Sequence, residues 1–412
     1  MYFETRYQMM CIRHLNLWTA GILVAFTLWI NACDRSSSSH AEMLKYTTSL
    51  AAIDTIYIPI DERVAFNSGT RYYTFNETPY LYTYLKHKDQ NVFIFYDLHK
   101  QDYSFEFSLD QQGPLGVGTS AYIPLVVNMD SIFFIRRHSN RLYLLDSSAH
   151  IKDRWQIEQT TTAKEIYRIH AERKMPMLFR HSTIYCGHRT GLLNERKEFY
   201  AEPLEVIISL ALNDPSGYQA HLRGSYPDFL QQGIFKGGKV GHQVDRVLDA
   251  RGNSIYSFGF DHHIYQTDDS LQRSYFLPSQ YLEDDFPIPP KGIEDHLEMS
   301  IQYACENGLY FALIYDPFQK VYYRTVLHPR GPVSLSEVTI SMLWDLAFSI
   351  QIISEDFKML AEVTFPANTF NYFLPFIPTP QGLLLPYMHE QNPDLKEDRF
   401  AYIRYQLVDT KE

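Results

Sequence analysis

Positive charge, cysteine and tryptophan are all scarce in this chain. Its 412 residues include 37 Lys and Arg against 48 Asp and Glu, for a net charge of −11, and only 4 Cys and 4 Trp. Because phosphate-rich partners are held by clustered Lys and Arg, and no basic stripe is present, we expect no nucleic-acid partner. With 45% hydrophobic and 21% charged residues, the chain can bury a large core and is not of the disordered class.

Catalytic and cofactor signatures are also missing. The sequence has no G-x-S-x-G elbow, no H-E-x-x-H, no phosphate-binding glycine loop and no dinucleotide fingerprint. The glycine-rich stretch GIFKGGKVGH (233–242) lacks the phosphate-loop spacing and reads as a connecting loop. We therefore assign no catalytic residue and no metal ligand, and we expect no cofactor. Whether the protein is an enzyme stays open at this point.

The only long apolar run lies at the N-terminus. The segment LNLWTAGILVAFTLWI (15–30) follows Arg6 and Arg13 and ends at a polar stretch. It is shorter than the roughly 20 residues of a membrane-spanning helix and fits the apolar core of a signal peptide. We therefore expect residues 1–32 to be a signal peptide and the protein to be exported.

Cys33 directly follows a small residue in INACDRSSSSH, which resembles the lipobox of bacterial lipoproteins. In those proteins the cysteine is lipidated and becomes the mature N-terminus. Asn31 departs from the usual Ala or Ser, and an uncleaved signal anchor is the alternative. We expect a lipidated Cys33 and flexible tether over 33–45, then a single domain over 46–412. The lipid would hold the protein to a membrane of a bacterial cell envelope, on the periplasmic or outer-membrane face.

Cys186 and Cys305 are the cysteines of the expected domain. An exported compartment would permit a disulfide between them. The preferred interpretation is two buried thiols that act as small hydrophobic side chains.

A strand, a tight turn with an acidic residue and a second strand recur along the chain. The clearest instance is IYDPFQKVYYRTV (314–326). Alternation of apolar and polar residues beside each turn predicts half-buried strands, and the turn acids are expected to bond the backbone of their own turns. The looser instances are 92–107, 142–157, 206–222, 263–277 and 349–365, and the acids are Asp97, Asp146, Asp214, Asp269, Asp316 and Glu355.

Repeated hairpins without an amphipathic helix of comparable length predict an all-β fold, a β-propeller. Further strands, such as IPLVV and SIFFIRR before the second hairpin, make each unit a four-stranded meander. Residues 314–326 are expected to be the middle hairpin of an enlarged fifth blade. The last unit has three strands, and SLAAIDTIYIPID (49–61) is expected to supply the fourth and close the ring. We predict six blades, with seven as the alternative.

Five segments together carry a family resemblance: CDRSSSS, LAAIDTIYIPID, VYYRTV, FSIQIISEDFKMLAEVTFP and GLLLPYMHEQNPDLKEDRFAYIRYQL. In combination they resemble domain of unknown function 4221, an uncharacterised family of exported bacterial proteins related to six-bladed propellers. The resemblance covers roughly residues 45–409. It supports the fold and implies no activity and no catalytic residue.

The most suggestive polar cluster is GFDHHIYQ (259–266). Asp261, His262 and His263 could supply metal ligands, or a base with its orienting carboxylate. Adjacent strand residues face opposite ways, so both histidines could aim at one ion only from a turn. A polar hairpin tip is the alternative interpretation.

Two arginines and one histidine are further candidates for ligand binding. His188 and Arg189 stand between glycines in IYCGHRTG (184–191), where Arg could clamp a carboxylate or sulfate; an ordinary turn with solvated charges is the alternative. Arg324 is expected to meet a ring or a carboxylate, and stacking on a tyrosine is the simpler account.

The chain carries one acidic, proline-rich insertion, YLEDDFPIPPKGIEDHLE (281–298), which could hold Ca²⁺ or supply a glycosidase pair but is more simply a solvated loop. The segment EIYRIHAERKM (165–175) is expected to be a short helix on the surface.

These observations favour an envelope-anchored binding module that uses an end face or the central channel for a protein, peptide or glycan partner. The alternative is a channel-centred hydrolase or lyase, dependent on a metal or on a pair of carboxylates and directed at a glycan. Inward-facing groups of His and carboxylates would favour the enzyme, and a channel lined by aromatic rings and backbone would favour binding.

Overall fold

The computed structural model describes residues 48–64, 70–75, 78–113, 116–117, 124–136, 140–148, 150–157, 168–172, 174–189, 200–211, 217–232, 244–268, 271–290, 292–293, 295–396 and 398–409. The expected signal peptide, Cys33 and the tether lie outside these residues. So do the turn acids Asp214 and Asp269 and the loop 233–242.

The described residues form a six-bladed β-propeller. Alternating side chains within each strand bury one row against each neighbouring blade, which is why the strands read as half-buried in the sequence. The first strand is β1 (Thr48–Pro59). Blade 1 has β2 (Thr70–Phe75), β3 (Thr78–His87), β4 (Gln90–Asp97) and β5 (Asp102–Asp110), and blade 2 has β6 (Leu125–Asn128), β7 (Ser131–Arg136), β8 (Arg141–Leu145) and β9 (Ile151–Gln156). Blade 3 has β10 (Arg168–His170), β11 (Leu178–Arg180), β12 (Thr183–Arg189), β13 (Glu205–Leu210) and β14 (Tyr218–Arg223), and blade 4 has β15 (Val244–Leu248), β16 (Ser254–Phe258), β17 (His263–Thr267) and β18 (Gln272–Phe276). Blade 5 has β19 (Leu309–Asp316), β20 (Val321–Leu327), β21 (Phe348–Ser354) and β22 (Met359–Phe365), and blade 6 has β23 (Ile377–Thr379), β24 (Gly382–Pro386) and β25 (Arg399–Asp409).

The ring is closed by the two ends of the described chain. Strand β1 pairs with β25 in antiparallel register from Thr48 opposite Asp409 to Pro59 opposite Arg399, and becomes the outermost strand of blade 6. Ile56, on β1, and Tyr402, on β25, are buried in the core shared with blade 1. The predicted closure by the N-terminal strand is confirmed.

The strand order gives the propeller two different end faces. The hairpin face carries the turns between first and second strands and between third and fourth strands. The loop face carries the turns between second and third strands and the links between blades. The described loop-face connections contain helix α1 (Asp228–Gln231), helix α2 (Leu297–Asn307) and the 3₁₀ segments Leu335–Glu337 and Ile340–Leu343. None of the described helices has the length and apolar character needed to cross a bilayer.

Three of the four described turn acids bond the backbone of their own turns; the prediction was wrong for the fourth, Glu355, which accepts from the Tyr315 hydroxyl instead. Asp97, Asp146 and Asp316 each accept bonds from two N–H groups of the residues that follow, as at 2.8 and 3.0 Å in the Asp316 turn. These three predictions are confirmed.

Two local expectations were wrong. Residues 314–326 join the first and second strands of blade 5 and are not its middle hairpin. In the predicted helix 165–175, Arg168–His170 form strand β10, because pairing with β12 supplies the backbone partners that an isolated short helix would lack. The inner strand of blade 3 is thus split into β10 and β11, which both pair with β12.

The cysteines follow the preferred interpretation. Cys186 and Cys305 are free and buried. Burial raises the pKa of the Cys186 thiol to about 12 and that of Cys305 to about 11, so both stay protonated and act as small hydrophobic side chains.

Candidate functional site

Arg324 lies at the junction of blades 4 and 5, where β20 faces the turn between β16 and β17. Its side chain is fully buried, and Nε donates to Ser257 Oγ at 2.8 Å. The terminal nitrogens donate to the carbonyl oxygens of Asp261 at 2.6 Å and His262 at 3.1 Å. The guanidinium carbon is 3.3 Å from the centre of the Tyr310 ring, a cation–π contact. Arg324 therefore holds the 259–262 turn in place and stacks on a tyrosine.

His262 is buried, and both of its ring nitrogens make hydrogen bonds within the protein. Nε2 donates to the carbonyl oxygen of Glu283 at 2.9 Å, which leaves Nδ1 as the acceptor facing the Tyr310 hydroxyl at 2.7 Å. The ring also stacks on Phe286, with 5.0 Å between centroids. Burial lowers the pKa of His262, so the ring is held neutral. This geometry ties the turn to the link between blades 4 and 5.

Asp261 orients His263 rather than His262. One carboxylate oxygen accepts from the His263 backbone at 3.0 Å and from its Nδ1 at 2.8 Å, and the other accepts from the Tyr265 hydroxyl at 2.6 Å. The His263 side chain is 38% exposed. The pair has the form of a base with its orienting carboxylate. The structure thus brings Asp261, His262 and Arg324 together around one turn.

His188 and Arg189 lie in a different blade. His188 is on β12, opposite Ile169, and is buried; its Nδ1 donates to the carbonyl oxygen of Pro203 at 2.9 Å. Burial lowers the pKa of His188. Arg189 ends β12, and its side chain lies outside the described part. The binding role expected of these two residues stays a prediction.

The acidic insertion does not gather its carboxylates. Glu283, Asp284, Asp285 and Asp295 are each exposed, and Glu294 lies outside the described residues. Among the residues that the structure describes, no group of three or more His, Cys, Asp or Glu side chains is placed to hold a metal ion.

A cavity of about 290 Å³ opens between blades 4 and 5 on the hairpin face, at the opposite end of the same blade junction. We call it the 4–5 cleft. Its volume is just below the roughly 300 Å³ at which small-molecule sites begin. Its walls are the β15–β16 turn, β17 and β18 of blade 4, and β20 with the β21–β22 turn of blade 5. The lining residues are Asp249, Ala250, Arg251, Gln266, Arg273, Tyr275, Tyr322, Glu355, Asp356 and Phe357.

A stack of three aromatic rings packs across the two blades in the cleft. Phe357 lies 4.0 Å from Tyr275 and 5.4 Å from Tyr322, between ring centroids, and is nearly parallel to both. Its backbone has φ 57°, a left-handed conformation that a non-glycine residue adopts at a cost of about 1–2 kcal/mol. Phe357 is nevertheless buried, so ring packing across the two blades offsets the strained turn.

A chain of hydrogen bonds fixes the blade 4 wall. The Tyr275 hydroxyl donates to Gln266 Oε1 at 3.2 Å, and Gln266 Nε2 donates to Asp249 Oδ2 at 3.0 Å. Asp249 Oδ1 in turn accepts from the backbone of Arg251 at 2.8 Å and of Asn253 at 2.9 Å. The wall is therefore rigid before any ligand arrives, which lowers the ordering cost of binding.

Blades 3 and 4 meet at a buried ionic cluster that the sequence did not reveal. Glu205 is fully buried and receives Arg223 Nε at 2.8 Å, Arg246 Nη1 at 2.7 Å and Ser254 Oγ at 2.6 Å. Burial alone would raise the pKa of Glu205, but the two guanidinium charges outweigh it and lower that pKa. Arg246 also donates to the carbonyl oxygen of Tyr185 at 3.2 Å. These contacts join the blades and leave the cluster structural.

Comparison with known proteins gives a family and a fold. The family model "Domain of unknown function (DUF4221)" matches residues 47–364. The crystal structure of a member of that family from Bacteroides vulgatus ATCC 8482 has a TM-score of 0.73 and 19% sequence identity, covering 88% of this chain and 99% of that one. A candidate exported protein from Bacteroides fragilis NCTC 9343 has a TM-score of 0.50 and 8% identity, covering 90% of this chain and 98% of that one. No curated protein matches the chain.

Proposed function

The chain belongs to the DUF4221 family, and from this premise we propose that it is an envelope-anchored lipoprotein whose propeller binds a small ligand in the 4–5 cleft. The observation that carries the binding proposal is the cleft itself: a preformed cavity with aromatic and polar walls on a rigid scaffold. Ligand pockets combine aromatic surface with fixed polar groups, and the 4–5 cleft has three aromatic rings among a lining that is otherwise mainly charged and polar.

Export is supported by the N-terminal segment and by the candidate exported protein of the same fold, and anchoring is supported by Cys33 in INACDRSSSSH. A lipid on Cys33 would require two or more acyl chains for stable attachment. Replacement of Cys33 by Ser in cells that express the full chain is the test. The expected result is loss of the lipid mass that the wild-type chain carries on its Cys33 peptide. Absence of a lipid mass on the wild-type Cys33 peptide would contradict a lipid anchor and favour a signal anchor.

Ligand binding is tested with the full chain purified in detergent. Ligand-observed NMR against amino acids, saccharides and nucleosides should reveal at least one binder in these classes. Tyr275→Ala, which removes one ring of the stack, should weaken that binder at least tenfold. The matched control is Tyr103→Ala, because Tyr103 is an exposed tyrosine on the fourth strand of blade 1. A binder that survives Tyr275→Ala, or no binder in any class, would overturn the proposal.

A further inference from the structure

The charged side chains of the 4–5 cleft are separated by sign. Arg251 and Arg273 belong to blade 4, on the β15–β16 turn and on β18. Glu355 and Asp356 belong to the β21–β22 turn of blade 5. Asp249 is the exception in the blade 4 wall, but it is buried and its oxygens already accept from its own turn and from Gln266. The cleft therefore has a cationic side and an anionic side.

These opposite charges do not neutralise each other. No ion pair within 4.0 Å joins either arginine to Glu355 or Asp356 among the described contacts. The side chains of Arg251, Arg273 and Asp356 make no hydrogen bond to a described residue. One carboxylate oxygen of Glu355 accepts a hydrogen bond from the Tyr315 hydroxyl at 2.6 Å. Two guanidinium groups and two carboxylates thus line one cavity, and their remaining donors and acceptors are available to a ligand.

The Tyr322 hydroxyl is a further polar group at this cavity. The Tyr322 side chain lines the cleft and is 1% exposed, yet its hydroxyl makes no hydrogen bond to a described residue. Burial and the nearby Asp249 carboxylate raise the pKa of this phenol, so the hydroxyl remains a donor. An acceptor group on a ligand in the cleft would receive a hydrogen bond from this hydroxyl.

We propose that the 4–5 cleft binds a zwitterion of the amino-acid class, with its carboxylate at Arg251 and Arg273 and its ammonium group at Glu355 and Asp356. The inference rests on the proposed ligand-binding function and specifies the ligand. Guanidinium groups suit carboxylates because they offer paired N–H donors, and carboxylates accept the three donors of an ammonium group. The aromatic stack beside them suits an apolar or aromatic side chain.

A zwitterion fits this arrangement better than a ligand with one charge or none. A lone anion would satisfy the arginines but face the two carboxylates of blade 5, and a lone cation would meet the reverse. A neutral ligand would leave all four charges without a counter-charge. Only a small molecule that carries both charges can pair with the arginines of blade 4 and the carboxylates of blade 5 at once.

The test is a titration of the full chain with four probes, followed by ligand-observed NMR. L-phenylalanine carries both charges, N-acetyl-L-phenylalanine carries only the carboxylate, L-phenylalaninamide carries only the ammonium group, and glucose carries neither. L-phenylalanine should bind at least tenfold more tightly than each of the other three. The dipeptide Ala-Phe, whose charges lie farther apart, separates a free amino acid from a peptide as the source of the ligand.

Two variants show which wall reads which charge. Arg273→Gln should weaken L-phenylalanine and N-acetyl-L-phenylalanine about tenfold and leave L-phenylalaninamide unchanged, and Asp356→Asn should do the reverse. Arg154→Gln is the matched control, since Arg154 is an exposed arginine on the fourth strand of blade 2.

Each remaining outcome overturns a stated part of the account. Equal binding of the singly charged probes, or loss of affinity in Arg154→Gln, would overturn the zwitterion. Binding of glucose or a nucleoside that is lost in Tyr275→Ala would overturn the ligand class but keep the cleft as a binding site. No cleft-dependent binder in any class would overturn both proposals.

Discussion

At the scale of single residues, Arg324 shows how one buried charge can be held without a carboxylate. Its guanidinium bonds one hydroxyl and several carbonyl oxygens and lies on the Tyr310 ring. A hydrogen bond to a charged group contributes about 1.5–3 kcal/mol, and removal of the donor leaves buried carbonyls unsatisfied. Arg324 therefore stabilises the junction of blades 4 and 5.

We expect Arg324→Met to lower the free energy of unfolding by about 3 kcal/mol, because it removes every one of these bonds. Arg324→Lys should cost less, since an ammonium group still reaches some of the acceptors. Chemical denaturation monitored by tyrosine fluorescence measures both. Arg154→Met, at an exposed site, should change the value by no more than about 0.5 kcal/mol. Equal effects of the three substitutions would contradict the role of Arg324.

Glu362 makes the stability of blade 5 depend on pH. It is buried on β22, where it accepts from Ser279 Oγ and Ser349 Oγ at 2.6 Å each, and burial raises its pKa above the ordinary 4.5. The folded state thus holds a proton that the unfolded chain releases at lower pH. Its stabilising contribution is full below pH 4.5 and is lost as the pH rises through the raised pKa of the folded state.

Glu362→Gln should remove this dependence, because the amide does not titrate. The difference in free energy of unfolding between wild type and variant should move in favour of the variant as the pH rises from 4.5 to 7.5. Urea denaturation of both proteins across that range is the measurement. Parallel curves would show that Glu362 has the same pKa in both states.

The sequence could predict only those residue contacts that are local. Asp316 bonds the backbone two and three residues on, and Asp residues at turns commonly do so. His262 instead bonds Tyr310, which is 48 positions away, and Arg324 bonds Ser257, which is 67 positions away. Such partners are set by the packing of blades, so the cluster 259–266 could be singled out but not assigned.

At the scale of elements, the turns of the hairpin face combine strain and packing in different proportions. Phe357 and Lys320 both have left-handed backbones, with φ 57° and 55°, in the two hairpin turns of blade 5. Lys320 is exposed, whereas Phe357 is packed between Tyr275 and Tyr322. The two positions therefore allow the free-energy cost of the left-handed backbone to be separated from the free energy that ring packing contributes.

Glycine at each position should have opposite effects. Lys320→Gly relieves about 1 kcal/mol of strain and loses no packing, so stability should stay equal or rise by up to about that amount. Phe357→Gly relieves the same strain but loses a buried ring worth about 3–5 kcal/mol, for a net loss of about 2–4 kcal/mol. Urea denaturation checks both, and a stabilising Phe357→Gly would contradict the stack as the support of the cleft.

The elements that could be predicted are those with a strong local pattern. Hairpins such as 92–107 combine alternation with turn residues and recur, which fixed the fold class and the blade unit. The segment 165–175 has helix-forming residues, but tertiary pairing overrode that propensity and placed Arg168–His170 in a strand. The 4–5 cleft had no signal, because its walls come from turns of two blades that no local pattern links.

At the scale of the whole molecule, the six-bladed fold depends on closure of the ring. An open array of blades would expose the edge strands of its first and last sheets, and pairing of β1 with β25 gives β25 a covering strand. The alternating pattern of residues 49–61 and the missing strand of the last unit were enough to predict this pairing. Blade 6 is thus built from both ends of the described chain.

The most direct test of this closure is a disulfide across the β1–β25 pair. Ala51 lies opposite Gln406, and Val408 is displaced by two residues on the same strand. The pair Ala51→Cys with Gln406→Cys should oxidise almost completely, as mapped by peptide mass spectrometry. Ala51→Cys with Val408→Cys should form little bridge, because diagonal neighbours lie about 7–8 Å apart, beyond the usual disulfide span. Equal yields, or no bridge in the matched pair, would contradict the closed six-bladed ring.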